Sequence, residues 1–307
     1  MRRIALPLCL AVLLAVRAAA IVIHGGTGTE NFTDPVTGVP WAYVGSVGGA
    51  SGVYLGNYGG NYWALTASHV VGSGSSLSNL VLDGVPYSFV PGSGVIVRNG
   101  DNSTTDLTLF RISGDPGLGN LQLAISTPAV SSNVVMVGRG NMEGSINYWA
   151  VTVNAGPSND TWFDLGGISG GANASGYLWA ANGDKRWGTN SVEGNTTYNV
   201  GTGTTTAFYT DFDSGSSDAQ GATGDSGGAT FFYNGVAWEL AGIMGAIGGF
   251  ENQPASTAVI GNATFSASIA NYHSFITSAI PEPSTYAALA GVLMFGVVLL
   301  ARRRPAI

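Results

Sequence analysis

Residues 224–228 read Gly-Asp-Ser-Gly-Gly and place one serine, Ser226, among glycines. Glycine has no side chain to obstruct a substrate and it bends at little cost, so this setting is typical of a nucleophilic serine. Two candidate partners lie upstream: residues 63–69 read Trp-Ala-Leu-Thr-Ala-Ser-His and end at His69, and residues 106–112 read Asp-Leu-Thr-Leu-Phe-Arg-Ile and begin at Asp106. The order His, Asp, Ser is one of those known among convergent triads.

Taken together, these segments resemble the chymotrypsin/trypsin-like serine protease family. The histidine and aspartate segments are similar to those around the family's catalytic residues, and residues 224–228 with 238–243 are similar to its nucleophile loop and following strand. Residues 265–276 resemble the family's last strand and closing helix. The resemblance covers roughly residues 21–278. It implies an all-β fold of two packed six-stranded antiparallel β-barrels with a short C-terminal helix.

The resemblance also implies a role for each site residue. His69 is the general base, Asp106 orients it, and Ser226 is the nucleophile that forms an acyl-enzyme. The backbone N–H groups of Gly224 and Ser226 form the oxyanion hole. A histidine packed in the core is the alternative for His69. Asp101 is the alternative aspartate, but Asn99-Gly100-Asp101-Asn102 is typical of a turn, which favours Asp106.

A substrate pocket follows from the same resemblance. Gln220 is expected at its floor, where trypsin-like members carry an aspartate, so cleavage after Lys or Arg is not predicted. Gly245, Ala246 and Ile247 are expected along one wall and Ala263 near another. These residues predict a small to medium side chain, apolar or polar, before the cleaved bond.

Asp225 suggests an activation pair. In the family, the matching aspartate binds a newly formed N-terminal amine, usually at an Ile-Val start. Cleavage after Ala20 would leave Ile21 followed by Val22 as the new N-terminus. We therefore expect Ile21 to pair with Asp225 without a separate propeptide.

Both ends of the chain carry targeting patterns. Residues 1–20 have a basic start, an apolar stretch and small residues at the end, which predicts a signal peptide rather than a membrane anchor. Residues 280–307 begin Ile-Pro-Glu-Pro, continue with an apolar segment at 286–301 and then carry three arginines. This tail resembles the PEP-CTERM sorting signal, which implies an exosortase-type processing partner; an ordinary C-terminal anchor is the alternative. Residues 21–279 form the predicted protease domain.

These patterns predict a protein that is secreted or displayed on the cell surface or extracellular matrix of a Gram-negative bacterium. The tail would hold it transiently in the inner membrane before processing. The only cysteine, Cys9, lies in the predicted signal peptide, so no disulfide is expected in the mature chain.

The composition between the ends is acidic. Five of the 11 basic residues and all but one of the 18 acidic residues lie in 21–280, a net charge of about −12. Such a charge argues against nucleic acid as a partner. Asp211, Asp213 and Asp218 match no complete metal-binding motif, so solvated acids are favoured over a calcium site. We expect neither a metal nor a cofactor.

Short strands with glycine-rich turns dominate the predicted secondary structure. Hairpins are predicted across Asp83-Gly84 and Asn234-Gly235, and a helix over 267–278. Parts of 156–217 are interpreted as surface loop insertions.

The favoured function is a serine endopeptidase acting on polypeptide substrates. Two alternatives remain: a non-catalytic surface or matrix protein built on a protease fold, and an esterase or other acyl hydrolase. Esterases with this chemistry usually carry Gly-x-Ser-x-Gly and the chain order Ser, Asp, His, which this sequence lacks.

Overall fold

The computed structural model describes residues 21–35, 37–71, 78–153, 160–181, 183–215 and 218–280. Antiparallel β-strands dominate this part of the chain, together with two short α-helices and one turn of 3-10 helix at Trp41–Tyr43. The prediction of an all-β, antiparallel fold is therefore confirmed.

The first half of the chain contributes eight strands and one helical turn. They are β1 (Val22–Ile23), β2 (Val44–Val47), β3 (Ala50–Tyr58), β4 (Asn61–Ala67), α1 (Ser68–Val71), β5 (Leu80–Leu82), β6 (Val85–Tyr87), β7 (Val95–Arg98) and β8 (Thr104–Ile112).

The second half contributes twelve strands and the C-terminal helix. They are β9 (Asn133–Gly138), β10 (Met142–Thr152), β11 (Thr161–Gly166), β12 (Ala174–Ala180), β13 (Arg186–Ser191), β14 (Gly194–Tyr198), β15 (Thr205–Asp211), β16 (Ala219–Gln220), β17 (Ala229–Tyr233), β18 (Trp238–Gly248), β19 (Thr257–Val259), β20 (Ala263–Ser268) and α2 (Ile269–Ala279).

The strands form two large sheets and two small ones. One seven-stranded sheet has the order β6-β5-β2-β3-β4-β8-β7, and the other has the order β13-β9-β17-β18-β20-β15-β14. A four-stranded sheet has the order β11-β10-β12-β19, and β1 pairs with β16. Among the described residues the large sheets run from one edge strand to another with seven strands each. The predicted closure into two six-stranded barrels is thus not confirmed.

One apolar core joins the two large sheets. It contains fully buried side chains from both, among them Val53, Leu65, Leu109, Val137, Phe231 and Ile243. Burying each such side chain stabilises the fold by about 1.5–3 kcal/mol. Helix α2 adds Tyr272 and Ile276 to the same core. The sheets are therefore held face to face.

Short-range patterns predicted several elements correctly. The Asp83-Gly84 turn joins β5 to β6, with both residues at positive φ as a two-residue hairpin turn requires. The hairpin across Asn234-Gly235 joins β17 to β18. Helix α2 begins two residues after the predicted start at residue 267 and ends one residue after the predicted end.

The interpretation of parts of 156–217 as loop insertions was wrong over much of that range. Five strands, β11 to β15, lie between residues 161 and 211. Stretches such as Gly-Asn-Thr-Thr-Tyr in β14 lack apolar alternation, and they become strands because they pair with neighbours in the fold.

Both targeting segments, 1–20 and 281–307 with its apolar stretch 286–301, lie outside the described residues. Within the described ranges, no helix is long and apolar enough to cross a membrane.

Candidate active site

Strand pairing in the first large sheet brings His69, just after the end of β4, close to Asp106, near the start of β8. β4 pairs antiparallel with β8 so that Ala67 lies opposite Leu107. His69 follows two residues after Ala67, and Asp106 directly precedes Leu107. A hydrogen bond between the Ser68 and Thr108 hydroxyl groups, whose oxygens lie 2.8 Å apart, supports the contact between these two segments.

The structure brings His69, Asp106 and Ser226 into one hydrogen-bonded chain. The Nδ1 atom of His69 lies 2.8 Å from Oδ2 of Asp106, and its Nε2 atom lies 2.9 Å from Oγ of Ser226. The backbone N–H of His69 also donates to Oδ1 of Asp106 at 2.9 Å. Asp106 is fully buried, whereas the His69 side chain is 29 % exposed. A serine hydroxyl, a base and a buried carboxylate therefore stand in the order that nucleophilic activation needs.

A hairpin from the second sheet holds the Asp106 carboxylate. The Tyr198 hydroxyl donates to its Oδ2 atom at 3.2 Å, and the Thr202 hydroxyl donates to Oδ1 at 3.0 Å. The backbone N–H of Asp106 donates to the Thr205 hydroxyl at 2.8 Å. Burial raises the pKa of Tyr198, and the negative charge of Asp106 raises it further, so the phenol stays a proton donor. No local sequence pattern points to these three residues, because they lie in and around strands that were predicted as loops.

Asp101, the alternative aspartate, lies in an exposed turn. Its carboxylate accepts hydrogen bonds from the side chain and backbone N–H of Ser103, which lower its pKa. No contact joins it to His69 among the described residues.

Backbone shape brings the nucleophile loop against the first sheet. Gly227 has a φ of +84°, and a Cβ atom there would collide with the Ser51 carbonyl and the Thr66 hydroxyl. The Ser51 N–H donates to the Ser226 carbonyl at 2.9 Å. Gly224 has a φ of +99°, and its carbonyl accepts a hydrogen bond from the Ser51 hydroxyl at 2.9 Å. Glycine is thus required where the nucleophile loop contacts the first sheet.

Asp225 is buried behind the serine. Its carboxylate accepts N–H groups from Gly140 and Ala222, each at 2.7 Å, and from Ile21 at 3.3 Å. Burial raises its pKa to about 7 despite these bonds, which favour the charged form. The structure therefore places the backbone N–H of Ile21 next to the Asp225 carboxylate.

A cavity of about 230 Å³ opens beside Ser226 and His69. Gly245, Ala246 and Ile247 line it, as do Met244 and Thr264. Two residues that we expected in the pocket are not among its lining residues. Ala263 pairs with Gly248 and Asp211 on either side of β20.

Gln220 is the second residue that was expected in the pocket but does not line it. It is fully buried in β16 opposite Val22. Both of its amide atoms lack a hydrogen-bond partner within the described part of the chain.

The other two histidines, His24 and His273, lie outside the triad. Within the described ranges, no group of three or more His, Cys, Asp or Glu residues could hold a metal ion. His24 packs edge-on against Tyr177 and Phe212, which fits a structural role. His273 lies half-buried on α2.

No protein-family profile matches this chain, and no curated protein matches it. Among solved structures it is similar to the inactive form of the Rv3671c protease of M. tuberculosis, with 14% identity, 80% of this chain and 96% of that chain covered, and a TM-score of 0.45. It is also similar to the HtrA-type protease AlgW with a decapeptide, with 17% identity, 75% and 51% covered, and a TM-score of 0.43.

Proposed function

We propose that this chain is a serine endopeptidase of the chymotrypsin/trypsin-like kind, which cleaves peptide bonds through an acyl-enzyme on Ser226. The observation that carries the proposal is the continuous hydrogen-bonded chain from Ser226 through His69 to the buried Asp106. A histidine that served only packing would not need both of its ring nitrogens engaged in this order.

The proposed reaction has two halves. Ser226 Oγ attacks the carbonyl carbon of the substrate while His69 Nε2 takes its proton. The tetrahedral intermediate collapses, the C–N bond breaks, and the leaving amine takes that proton from His69. Water then attacks the acyl-enzyme with His69 again as base, which releases the acid and restores Ser226.

Two groups stabilise charge along this path. Asp106 holds His69 in the correct tautomer and balances the imidazolium that forms. The N–H groups of Gly224 and Ser226 are proposed to bind the developing oxyanion; loss of one such donor typically costs about 3–4 kcal/mol in the transition state. The positive φ of Gly224 supports this role, because it sets the orientation of the loop's peptide groups.

The same proposal covers the targeting of the protein. The chain would be secreted through the signal peptide 1–20 and retained or released at the cell surface through the tail 280–307, with an exosortase-type enzyme as its processing partner. Its other partner would be a polypeptide substrate with a small to medium side chain before the cut, which the 230 Å³ cavity can accommodate.

Labelling with a fluorophosphonate probe tests the proposed activity. We expect covalent labelling of the purified protein, with mass spectrometry locating the adduct on Ser226 and not on the neighbouring Ser51. Cleavage of a peptide library in preference to simple esters would then separate an endopeptidase from an acyl hydrolase. A folded protein that starts at Ile21 and shows no adduct would instead support a non-catalytic matrix protein.

The pair between Ile21 and Asp225 leads to a prediction about pH. We propose that cleavage after Ala20 gives Ile21 an α-ammonium group that binds the Asp225 carboxylate. With the bond before Ile21 intact, the folded pKa of Asp225 is about 7, above its ordinary value of 3.8. A raised pKa means that the neutral carboxyl favours the folded state, so its contribution is complete below about pH 4 and is lost as pH rises through about 7.

The uncleaved protein should therefore lose stability between pH 4 and 7 relative to Asp225→Asn, as measured by urea unfolding. A protein that begins at Ile21 should not show this loss, because the ammonium group lowers the pKa of Asp225. Identical pH slopes in all three proteins would contradict the proposed pair, as would a mature N-terminus other than Ile21.

A further inference from the structure

A second and larger cavity lies on the four-stranded sheet, away from the triad. Its volume is about 480 Å³, and it is lined by Tyr148 of β10, Trp162 of β11 and Phe250 of the loop that follows β18. None of the triad residues lines it. We call this cavity the aromatic groove. Large aromatic surfaces joined by a few polar groups are typical of binding sites.

The aromatic groove is a built structure that joins two parts of the fold. The ring of Trp162 lies 6.2 Å from that of Phe250 and 6.0 Å from the buried ring of Trp149. The Trp162 indole N–H donates to the Glu251 carbonyl at 2.9 Å, and the Asn252 side chain donates to the Asp160 carbonyl at 3.2 Å. These bonds fasten the loop after β18 onto the edge strand β11.

The same strand connects the aromatic groove to the catalytic cleft. Gly245, Ala246 and Ile247 line the cleft, and Phe250 follows three residues later, which is at most about 10 Å along an extended chain. β17 and the nucleophile loop pair with β18 as far as Met244, so within the described part of the chain that edge of β18 is open beside the cleft from Gly245 onward. A polypeptide lying along this edge from Ser226 would reach the groove.

Charge selects the kind of segment that fits. The described residues 142–153, 160–181 and 248–262, which build the groove and its surroundings, contain Asp160, Asp164 and Glu251 but no Lys, Arg or His. Glu143 lies in the same ranges, but it is buried and its charge is balanced by Arg186. Aromatic ring faces also attract cations. An apolar side chain with a neighbouring positive charge complements both the rings and the acidic surroundings.

We propose that the aromatic groove is an accessory site for the polypeptide substrate, upstream of the cleaved bond. It takes an aromatic or large aliphatic side chain next to a Lys or Arg. This inference rests on the proposed endopeptidase function of the cleft, since it extends the substrate that the cleft receives.

Paired peptides test the proposal in the purified protein. The short peptide begins four residues before the cleaved bond. The long peptide carries six further residues upstream of these, and they include Phe-Lys. We expect the extension to lower KM by about tenfold with kcat unchanged, as burial of one aromatic side chain allows. Replacing Lys by Glu in the extension should remove most of this gain.

Two variants separate binding in the aromatic groove from the general effect of losing an exposed aromatic side chain. Phe250→Ser should abolish the gain from the extension while leaving cleavage of the short peptide unchanged. Phe163→Ser is the matched control, since Phe163 is 67% exposed but lies on the opposite face of β11 from Trp162. It should leave the gain intact.

Binding to Ser226→Ala keeps this proposal distinct from the proposed function. Fluorescence anisotropy should show that the long peptide binds more tightly than the short one, and that Phe250→Ser in the same background removes the difference. If the long peptide binds in this way but the wild type cleaves no peptide, the proposed endopeptidase function is wrong and the peptide-binding groove remains supported. Equal binding of both peptides, or binding of a neutral oligosaccharide in their place, would overturn the groove proposal.

Discussion

Replacing Ser226 with alanine is expected to lower kcat for peptide hydrolysis by about 10⁶-fold, with KM nearly unchanged. The alanine lacks the oxygen that would attack the carbonyl, and His69 then has no hydroxyl proton to take. Circular dichroism should show an intact fold, because the side chain contributes only its contact with His69 to the described packing. Single-turnover assays at high enzyme concentration would measure the residual rate. Turnover at the wild-type level would place the nucleophile elsewhere.

Substitutions at Asp106, and at Tyr198 that donates to it, should lower kcat by smaller factors. Asp106→Asn should lower kcat by about 10⁴-fold, since an amide favours the wrong tautomer of His69. Tyr198→Phe removes one of several donors to the carboxylate and should cost about tenfold, the scale of one hydrogen bond to a charged group. A double variant, Ser226→Ala with Asp106→Asn, should be no slower than Ser226→Ala alone, because residues that act as a unit are not additive.

The second large effect is expected on stability. Arg186 is fully buried and donates from both terminal nitrogens to the buried Glu143 carboxylate, at 2.6 Å and 2.7 Å. Glu143→Gln should lower the free energy of unfolding by about 3–5 kcal/mol, because it removes the buried partner and leaves the buried Arg186 charge with only the more exposed Glu30 to balance it. Urea denaturation at constant pH measures this change.

Glu30 offers a matched control for that substitution. It contacts the same guanidinium at 2.9 Å, but its side chain is 37% exposed. Glu30→Gln should therefore cost no more than about 1 kcal/mol. Equal losses in the two variants would contradict the view that burial, rather than charge pairing as such, makes Glu143 important.

The pair between Arg186 and Glu143 also positions the N-terminal segment. Arg186 donates to the Ile21 carbonyl at 2.9 Å, and Glu143 accepts the N–H groups of Ile23 and Gly28. The segment that delivers Ile21 to Asp225 is thus anchored by a buried ion pair.

Local patterns were enough to identify His69, Asp106 and Ser226, but not the three residues that hold Asp106. Short-range patterns in the sequence account for the strands that end near His69 and begin near Asp106, the glycine setting of Ser226, the two hairpin turns and helix α2. These features depend on neighbours within a few residues, where periodicity and turn chemistry act directly. The order of the three segments then predicted which side chains would come together.

The other features of the site and the fold depend on contacts between distant parts of the chain. Tyr198 lies 92 residues from the Asp106 that it contacts, and Arg186 lies 43 residues from Glu143. The strands between residues 161 and 211, and the aromatic groove that they build with Phe250, arise from pairing across such distances. A polar strand or a buried ion pair has no local signal, because its free energy comes from partners that the fold alone brings into contact.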